Sequence, residues 1–178
     1  GDGGTDTLIG VEGVIGSAHD DVLTGGSDAF VEFFRGGAGN DTIDGGSWSD
    51  RAEYMDATAG ISVNPVALSP NTRTVTGDAS VGTDTLINVE VVYGSYVATG
   101  FSSASQPGGL LSTFNSFEGR GGNDTIVGNG ATRLEFTAAT AGVVANLATG
   151  IATGDASVGD DNFSGVSALR GSSYADTL

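Results

Sequence analysis

The chain has no cysteine, no lysine, one histidine, one tryptophan and three prolines in 178 residues. Without cysteine there is no disulfide staple and no thiolate nucleophile or metal ligand. All six basic residues are arginine, against 16 Asp and 6 Glu, so the net charge is −16. An acid excess with no basic patch argues against nucleic-acid partners and against anionic lipid. No apolar run is long enough for a membrane helix, which argues against membrane insertion. No targeting segment is visible. The lone His19 stands in a turn slot and is read as solvent-facing, and no serine sits in a G-x-S-x-G elbow. Paired carboxylates could mimic a glycosidase or lyase site. Here they recur with a repeat period, and the chain is not read as an enzyme.

What the chain does have is glycine, 31 of them, placed in a pattern. Gly36-Gly37-Ala38-Gly39-Asn40-Asp41-Thr42-Ile43-Asp44 reads G-G-x-G-x-D-x-U-x, with U a large aliphatic residue. The glycines permit a tight, partly left-handed turn. Turn carbonyls and the Asp41 carboxylate are hard oxygen ligands of the kind Ca2+ prefers. Thr42-Ile43-Asp44 then reads as a short strand with Ile43 turned inward. Gly45 to Glu53 repeats the frame more loosely, with Asp50 in the acidic slot.

Longer blocks also recur. Gly4 to Ile9 returns as Gly82 to Ile87, and Gly39 to Ile43 as Gly122 to Ile126. Ala57 to Gly60 returns as Ala139 to Gly142, and Thr76 to Gly82 as Thr153 to Gly159. The copies stand about 80 residues apart, and fixed-period self-similarity is the signature of a stacked array. Each unit opens on a nonapeptide at Gly36 or Gly119. A strand follows, Arg51 to Tyr54 or Arg133 to Phe136, with Ala52/Tyr54 or Leu134/Phe136 on one face. The Arg/Glu face is read as a solvated edge with cross-strand ion pairs. Leu86, Val89 and Val92 precede Gly94-Ser95 at three-residue spacing, as do Leu8, Val11 and Val14, and Phe163, Val166 and Leu169, before their own Gly-Ser corners.

The match over Gly36 to Asp44 resembles the RTX (haemolysin-type calcium-binding repeat) family. The resemblance implies an all-β fold, a right-handed parallel β-roll or β-solenoid with calcium-binding Gly/Asp turns. It implies that Gly36, Ala38 and Asp41 face one ion, and Gly37, Gly39 and Asp41 another. By the same frame, Gly119, Gly121 and Asp124 form a turn in which Arg120 replaces a motif glycine. Asp21, Asp50 and Asp176 stand in turns that lack some glycines. Asp6, Asp84 and Asp161 have two readings, as ligands or as caps bonding nearby backbone amides; the same holds for Asp78 and Asp155.

The organisation expected is one continuous stack: a part-copy over 1–35, a unit over 36–95, an uncharged insertion over 96–118 and a truncated unit over 119–178. The insertion is read as folded back over the stack, with a lateral contact to a neighbouring chain as the alternative. Phe30, Phe33 and Phe34 are read as a smaller irregular turn in the core, and Trp48 as packed over a neighbouring rung. The chain starts inside a unit and stops in mid-motif, so it is read as a segment of a longer protein whose neighbouring repeats are its first partners.

The RTX resemblance further implies export as an unfolded chain by type I secretion and folding on extracellular Ca2+. The function expected is a calcium-binding structural segment of a large secreted bacterial surface protein, of adhesin, surface-layer or matrix type. Two alternatives stay open: a secretion and folding module of a type I-secreted enzyme, and a β-helix that binds surface polysaccharide through the Arg51 and Arg133 face.

Overall fold

The structure, a computed structural model, describes residues 10–27, 31–65, 71–97, 100–102 and 115–178. The fold over these residues is all-β. Its strands are β1 (Gly13–Ile15), β2 (Val22–Thr24), β3 (Phe33–Arg35), β4 (Thr42–Asp44), β5 (Arg51–Glu53), β6 (Ser62–Pro65), β7 (Thr72–Thr76) and β8 (Thr83–Ile87). They continue with β9 (Val91–Tyr93), β10 (Gly100–Ser102), β11 (Asn115–Glu118), β12 (Thr125–Glu135), β13 (Val144–Asn146), β14 (Ile151–Thr153) and β15 (Asp160–Arg170).

The strands form two ladders. In the first, β1, β3, β5, β9, β11 and the second halves of β12 and β15 pair in parallel, in chain order. Its inward column is Val14, Phe34, Ala52, Val92, Phe117, Leu134 and Leu169, in register. The second ladder starts with β2, β4 and β8 in parallel. There the chain order reverses, because β8 pairs antiparallel with β7, and β7 with β6. Parallel pairing then resumes through β10 to the first halves of β12 and β15. A second reversal follows, β15 to β14 to β13. The expectation of purely parallel pairing is therefore corrected: each unit folds an antiparallel hairpin into the second ladder.

Both ladders turn their apolar columns onto one core. Ile43, Leu86, Val75, Val63, Ile126, Phe163 and Ala152 join Phe34, Val92, Phe117 and Leu134 in a single buried cluster. Ile43 pairs with Leu86 in the first unit as Ile126 pairs with Phe163 in the second. The three-residue spacing of Leu86, Val89 and Val92 has a simple cause. Leu86 lies on the second ladder, Val92 on the first, and Val89 fills the corner between them; all three are buried.

Two outer-face expectations are corrected. Glu53 and Glu135 are not solvated; their side chains are only 5% and 3% exposed. Two arginines clamp each one: half-buried Arg35 and Arg51 on Glu53 at 2.9 and 2.6 Å, half-buried Arg133 and exposed Arg170 on Glu135 at 2.6 and 3.3 Å. Arg51 also lies over the Phe33 and Tyr93 rings at 5.7 and 4.8 Å. Trp48 does not pack over a rung; it is 66% exposed. The two ends of the uncharged stretch are rungs, since β10 joins the second ladder and β11 the first. Its residues 98–99 and 103–114, and the fold-back read for them, lie outside the described residues.

Candidate metal centre

The glycine turns form the corners between the ladders. Gly16–Asp21, Gly36–Asp41 and Gly119–Asp124 each lead from a first-ladder strand to a second-ladder strand, while Gly45–Asp50 leads back. Gly171–Asp176 follows β15. In each turn the acidic sixth slot stands where the chain begins to pair with the next rung, so its carboxylate can reach a neighbouring amide.

That reach builds a carboxylate ladder. The Asp21 amide donates to Asp41 Oδ1 at 2.9 Å, and the Asp41 amide to Asp84 Oδ1 at 2.9 Å. The Asp124 amide donates to Asp161 Oδ1 at 2.9 Å, and the Val143 amide to Asp176 Oδ1 at 2.9 Å. At the opposite corner, Glu32 donates to Asp50 Oδ1 at 3.1 Å and Asp50 to Glu90 Oε2 at 3.0 Å. A second ladder of fifth-slot side chains runs the other way. Asp20 Oδ1 accepts from the Asn40 amide, Asn40 Oδ1 from Thr83 and Asn123 Oδ1 from Asp160, at 2.8 to 3.0 Å.

The remaining carboxylate oxygens differ from turn to turn. Asp41 and Asp50 are 1% and 0% exposed, and their Oδ2 atoms meet no hydrogen-bond donor. Asp84 is as buried. The Tyr54 hydroxyl steadies its charge, yet neither Tyr54 Oη nor Asp84 Oδ2 finds a partner in full hydrogen-bond geometry. Asp21 Oδ2 instead accepts from the Ser17 amide at 2.6 Å and hydroxyl at 3.0 Å. Asp176 is served likewise, with Oδ2 on the Ser172 amide at 2.8 Å and Oδ1 on the Ser172 hydroxyl at 2.7 Å.

The electrostatics follow from burial. Desolvation raises the Asp41 carboxyl despite the Asp21 amide. It lifts Asp50 to about 6, Asp84 to about 6 and Asp161 to about 7. It raises Glu90 as well. Asp176 goes the other way, held below its ordinary value first by the Ser172 hydroxyl.

The glycines make room for oxygen. A Cβ on Gly36 would collide with Asp41 Oδ2, and one on Gly119 with Asp124 Oδ2. A Cβ on Gly37 would strike the Ser17 carbonyl oxygen, and one on Gly82 the Gly39 carbonyl oxygen. The turns are thus lined by main-chain carbonyls of adjacent rungs and by buried carboxylate oxygens. This donor set fits a hard divalent cation such as Ca2+. Among the described residues, no three acidic or histidine side chains gather on one point. An ion here would be held by one or two carboxylates, with main-chain carbonyls completing its shell. At one corner Asp41 would be the side-chain ligand, with Gly36, Gly37, Ala38 and Gly39 the local source of carbonyls; at the opposite corner Asp50 would be, beside Gly45.

The other predicted residues fall as follows. Gly119, Gly121 and buried Asp124 repeat the Gly36–Asp41 arrangement. Asp84 and Asp161 lie inside β8 and β15 rather than in glycine turns, and act as amide acceptors across rungs. Asp78 and Asp155 hold equivalent exposed staples: Thr58 Oγ1 donates to Asp78 at 2.7 Å and Thr140 Oγ1 to Asp155 at 2.8 Å. Asp6 and Phe30 lie outside the described residues. Sequence reasoning missed Glu32, Glu90, Asp20, Asn40 and Asn123 as rung-to-rung acceptors. The signal for the two glutamates was an acid directly before the first strand residue, but without the glycine frame it went unread. Arg51 and Arg133, offered for a polysaccharide face, are committed to Glu53 and Glu135. No family model matches the chain, and no curated protein matches it in sequence.

Proposed function

We propose that this chain is a calcium-binding structural segment of a large secreted bacterial cell-surface protein, of the RTX type, which folds when it meets extracellular calcium. In this reading the two ladders are the walls of a β-roll, and the glycine turns between them hold the ions. One observation carries it: Asp41 and Asp50 are fully buried, yet each leaves a carboxylate oxygen without a donor beside glycines that admit carbonyls. A buried, uncompensated carboxylate is costly, and a divalent cation is what offsets that cost in an oxygen-lined turn.

The ion supplies charge neutralisation and cross-linking, not a reaction. The chain's own residues position it: glycines keep the turn open, amides of the neighbouring rung fix one carboxylate oxygen, and the other faces the turn. A site filled at a hundredfold excess of calcium over its Kd adds about 2.7 kcal/mol of stability, so a few sites can decide the folding of a marginal domain. Millimolar extracellular calcium would fill weak sites that cytosolic levels leave empty.

The test is a calcium titration followed by far-ultraviolet circular dichroism, beside an Asp41→Ala/Asp124→Ala variant. A disordered-to-β transition at sub-millimolar to millimolar calcium, weakened in the variant, is the expected result. A β signal already complete in chelator, and indifferent to both substitutions, would reduce the turns to structural mimics.

A further inference from the structure

Five glycine turns with an acidic sixth slot are fully described, and their backbones fall into two groups. In three of them the second and fourth slots are left-handed: Gly37 (φ 102°) and Gly39 (φ 127°), Gly46 (φ 83°) and Trp48 (φ 83°), Arg120 (φ 70°) and Gly122 (φ 102°). In the other two, Ser17 and His19, and Ser172 and Tyr174, none of the four has positive φ.

The handedness tracks the fate of the sixth-slot carboxylate. Where the second slot is Ser17 or Ser172, its amide points at the aspartate and its hydroxyl adds a second bond. The serine hydroxyl is itself fixed by the fourth-slot amide, from His19 at 3.2 Å and from Tyr174 at 3.0 Å. Such a turn satisfies its own acid. Where the second slot is Gly37 or Gly46, the peptide is flipped, and Asp41 or Asp50 is left with a buried oxygen that no donor meets.

Two large residues hold the left-handed shape against their own preference. Arg120 is braced by its guanidinium, which lies over Tyr93 at 5.1 Å and Tyr96 at 5.4 Å and donates to the Tyr96 hydroxyl at 2.8 Å. Trp48 is 66% exposed and has no such packing, so the turn itself imposes its strain.

We infer that the second-slot residue decides which turns take a cation: Gly36–Asp41, Gly45–Asp50 and Gly119–Asp124 are cation-holding, whereas Ser17 and Ser172 stand in for the ion and make Gly16–Asp21 and Gly171–Asp176 metal-independent rungs. The inference rests on the calcium reading and refines it. Glycine count orders the turns the same way, three, three and two against one and one, but handedness and not glycine itself marks the group, because Arg120 and Trp48 interrupt the frame while keeping its geometry.

The experiment measures calcium bound per folded chain by equilibrium dialysis at millimolar calcium. Asp41→Ala is expected to lower the count and Asp21→Ala to leave it unchanged. Ser17→Gly/His19→Gly, which completes the glycine frame before Asp21, is expected to raise the count by about one. Ser17→Ala/His19→Ala removes the hydroxyl without favouring the left-handed backbone and is expected to match the parent. At calcium just sufficient to fold the parent, the glycine pair should melt earlier than the parent and recover as calcium is raised. Equal losses from Asp21→Ala and Asp41→Ala, or equal counts in the glycine and alanine pairs, would overturn the inference while leaving the calcium reading intact. A parent chain that binds no calcium would overturn both.

Discussion

A carboxylate taken out of water favours its protonated form, and this chain buries several. Asp50 and Asp84 stand at about 6 and Asp161 at about 7, against an ordinary 3.8, chiefly through burial. The folded state therefore keeps protons that the unfolded chain has released. For an acid raised on folding, stability is greatest below the unfolded value and falls as pH climbs to the folded one. The calcium-depleted chain should accordingly hold more β structure at pH 5 than at pH 7.5, with the decline centred between pH 4 and 7. Added calcium should restore stability at pH 7.5, since it binds the ionised form. Circular dichroism in chelexed buffers across that range checks it, and a β signal that rises with pH in metal-free buffer would refute it.

Single glycines can be ranked by the same kind of reasoning. Gly82 has φ 81°, and a Cβ there would strike the Gly39 carbonyl oxygen; Gly159 repeats this against Gly122. Gly10 has φ 65° with nothing within 4 Å. Gly82→Ala should cost about 3 kcal/mol, from backbone strain plus displacement of the neighbouring rung, and Gly10→Ala about 1 kcal/mol from strain alone. Urea unfolding at saturating calcium measures both. Similar losses at the two positions would mean that the rungs yield freely.

At the scale of elements, the recurring blocks turn out to be those that touch. Ala57 to Gly60 and Thr76 to Gly82 recur together because Thr58 bonds Asp78 and Ser80, just as Thr140 bonds Asp155 and Ser157. The Ser80 hydroxyl is held by Asp78 at 2.5 Å and in turn receives the Thr58 amide. Asp78→Ala should therefore speed hydrogen exchange at the Thr58 amide and leave the Thr140 amide as it was. Equal acceleration at both would mean that the two staples are not independent. Much of this was legible in the sequence: the strand at Thr42–Asp44, the inward Ile43 and the buried Leu86, Val89 and Val92. The hairpins were not. Alternation in Thr72 to Thr76 marks a strand, but nothing in a period-two pattern says that β8, β7 and β6 stack in reverse chain order. Burial of Glu53 was also illegible, because Arg35, which lies across the rung from it, sits 18 residues away in sequence. The handedness that divides the turns was only half legible, since Arg120 and Trp48 adopt it against their residue type.

For the whole molecule, the governing quantity is charge. A net −16 on 178 residues opposes compaction, and the acids are concentrated at the corners where rungs stack. Monovalent salt screens that repulsion over about 10 Å at 0.1 M, but it cannot bridge a buried carboxylate to a carbonyl. Magnesium has the charge yet demands octahedral geometry at about 2.0–2.1 Å and sheds water reluctantly, whereas calcium accepts irregular shells of six to eight oxygens. The turns here offer mostly main-chain carbonyls from two rungs, a set with fixed spacing and no means of contracting around a small ion. The expected order is therefore specific. Calcium at about 1 mM should drive the chain from expanded to compact and β-rich; magnesium at the same concentration should not, and about 0.5 M sodium chloride should contract the chain without creating the β signal. Small-angle scattering and circular dichroism on the same samples separate contraction from ordering. If magnesium or salt alone gave the full β signal, the turns would be responding to charge screening, and the oxygen-lined corners would have no role as ion sites.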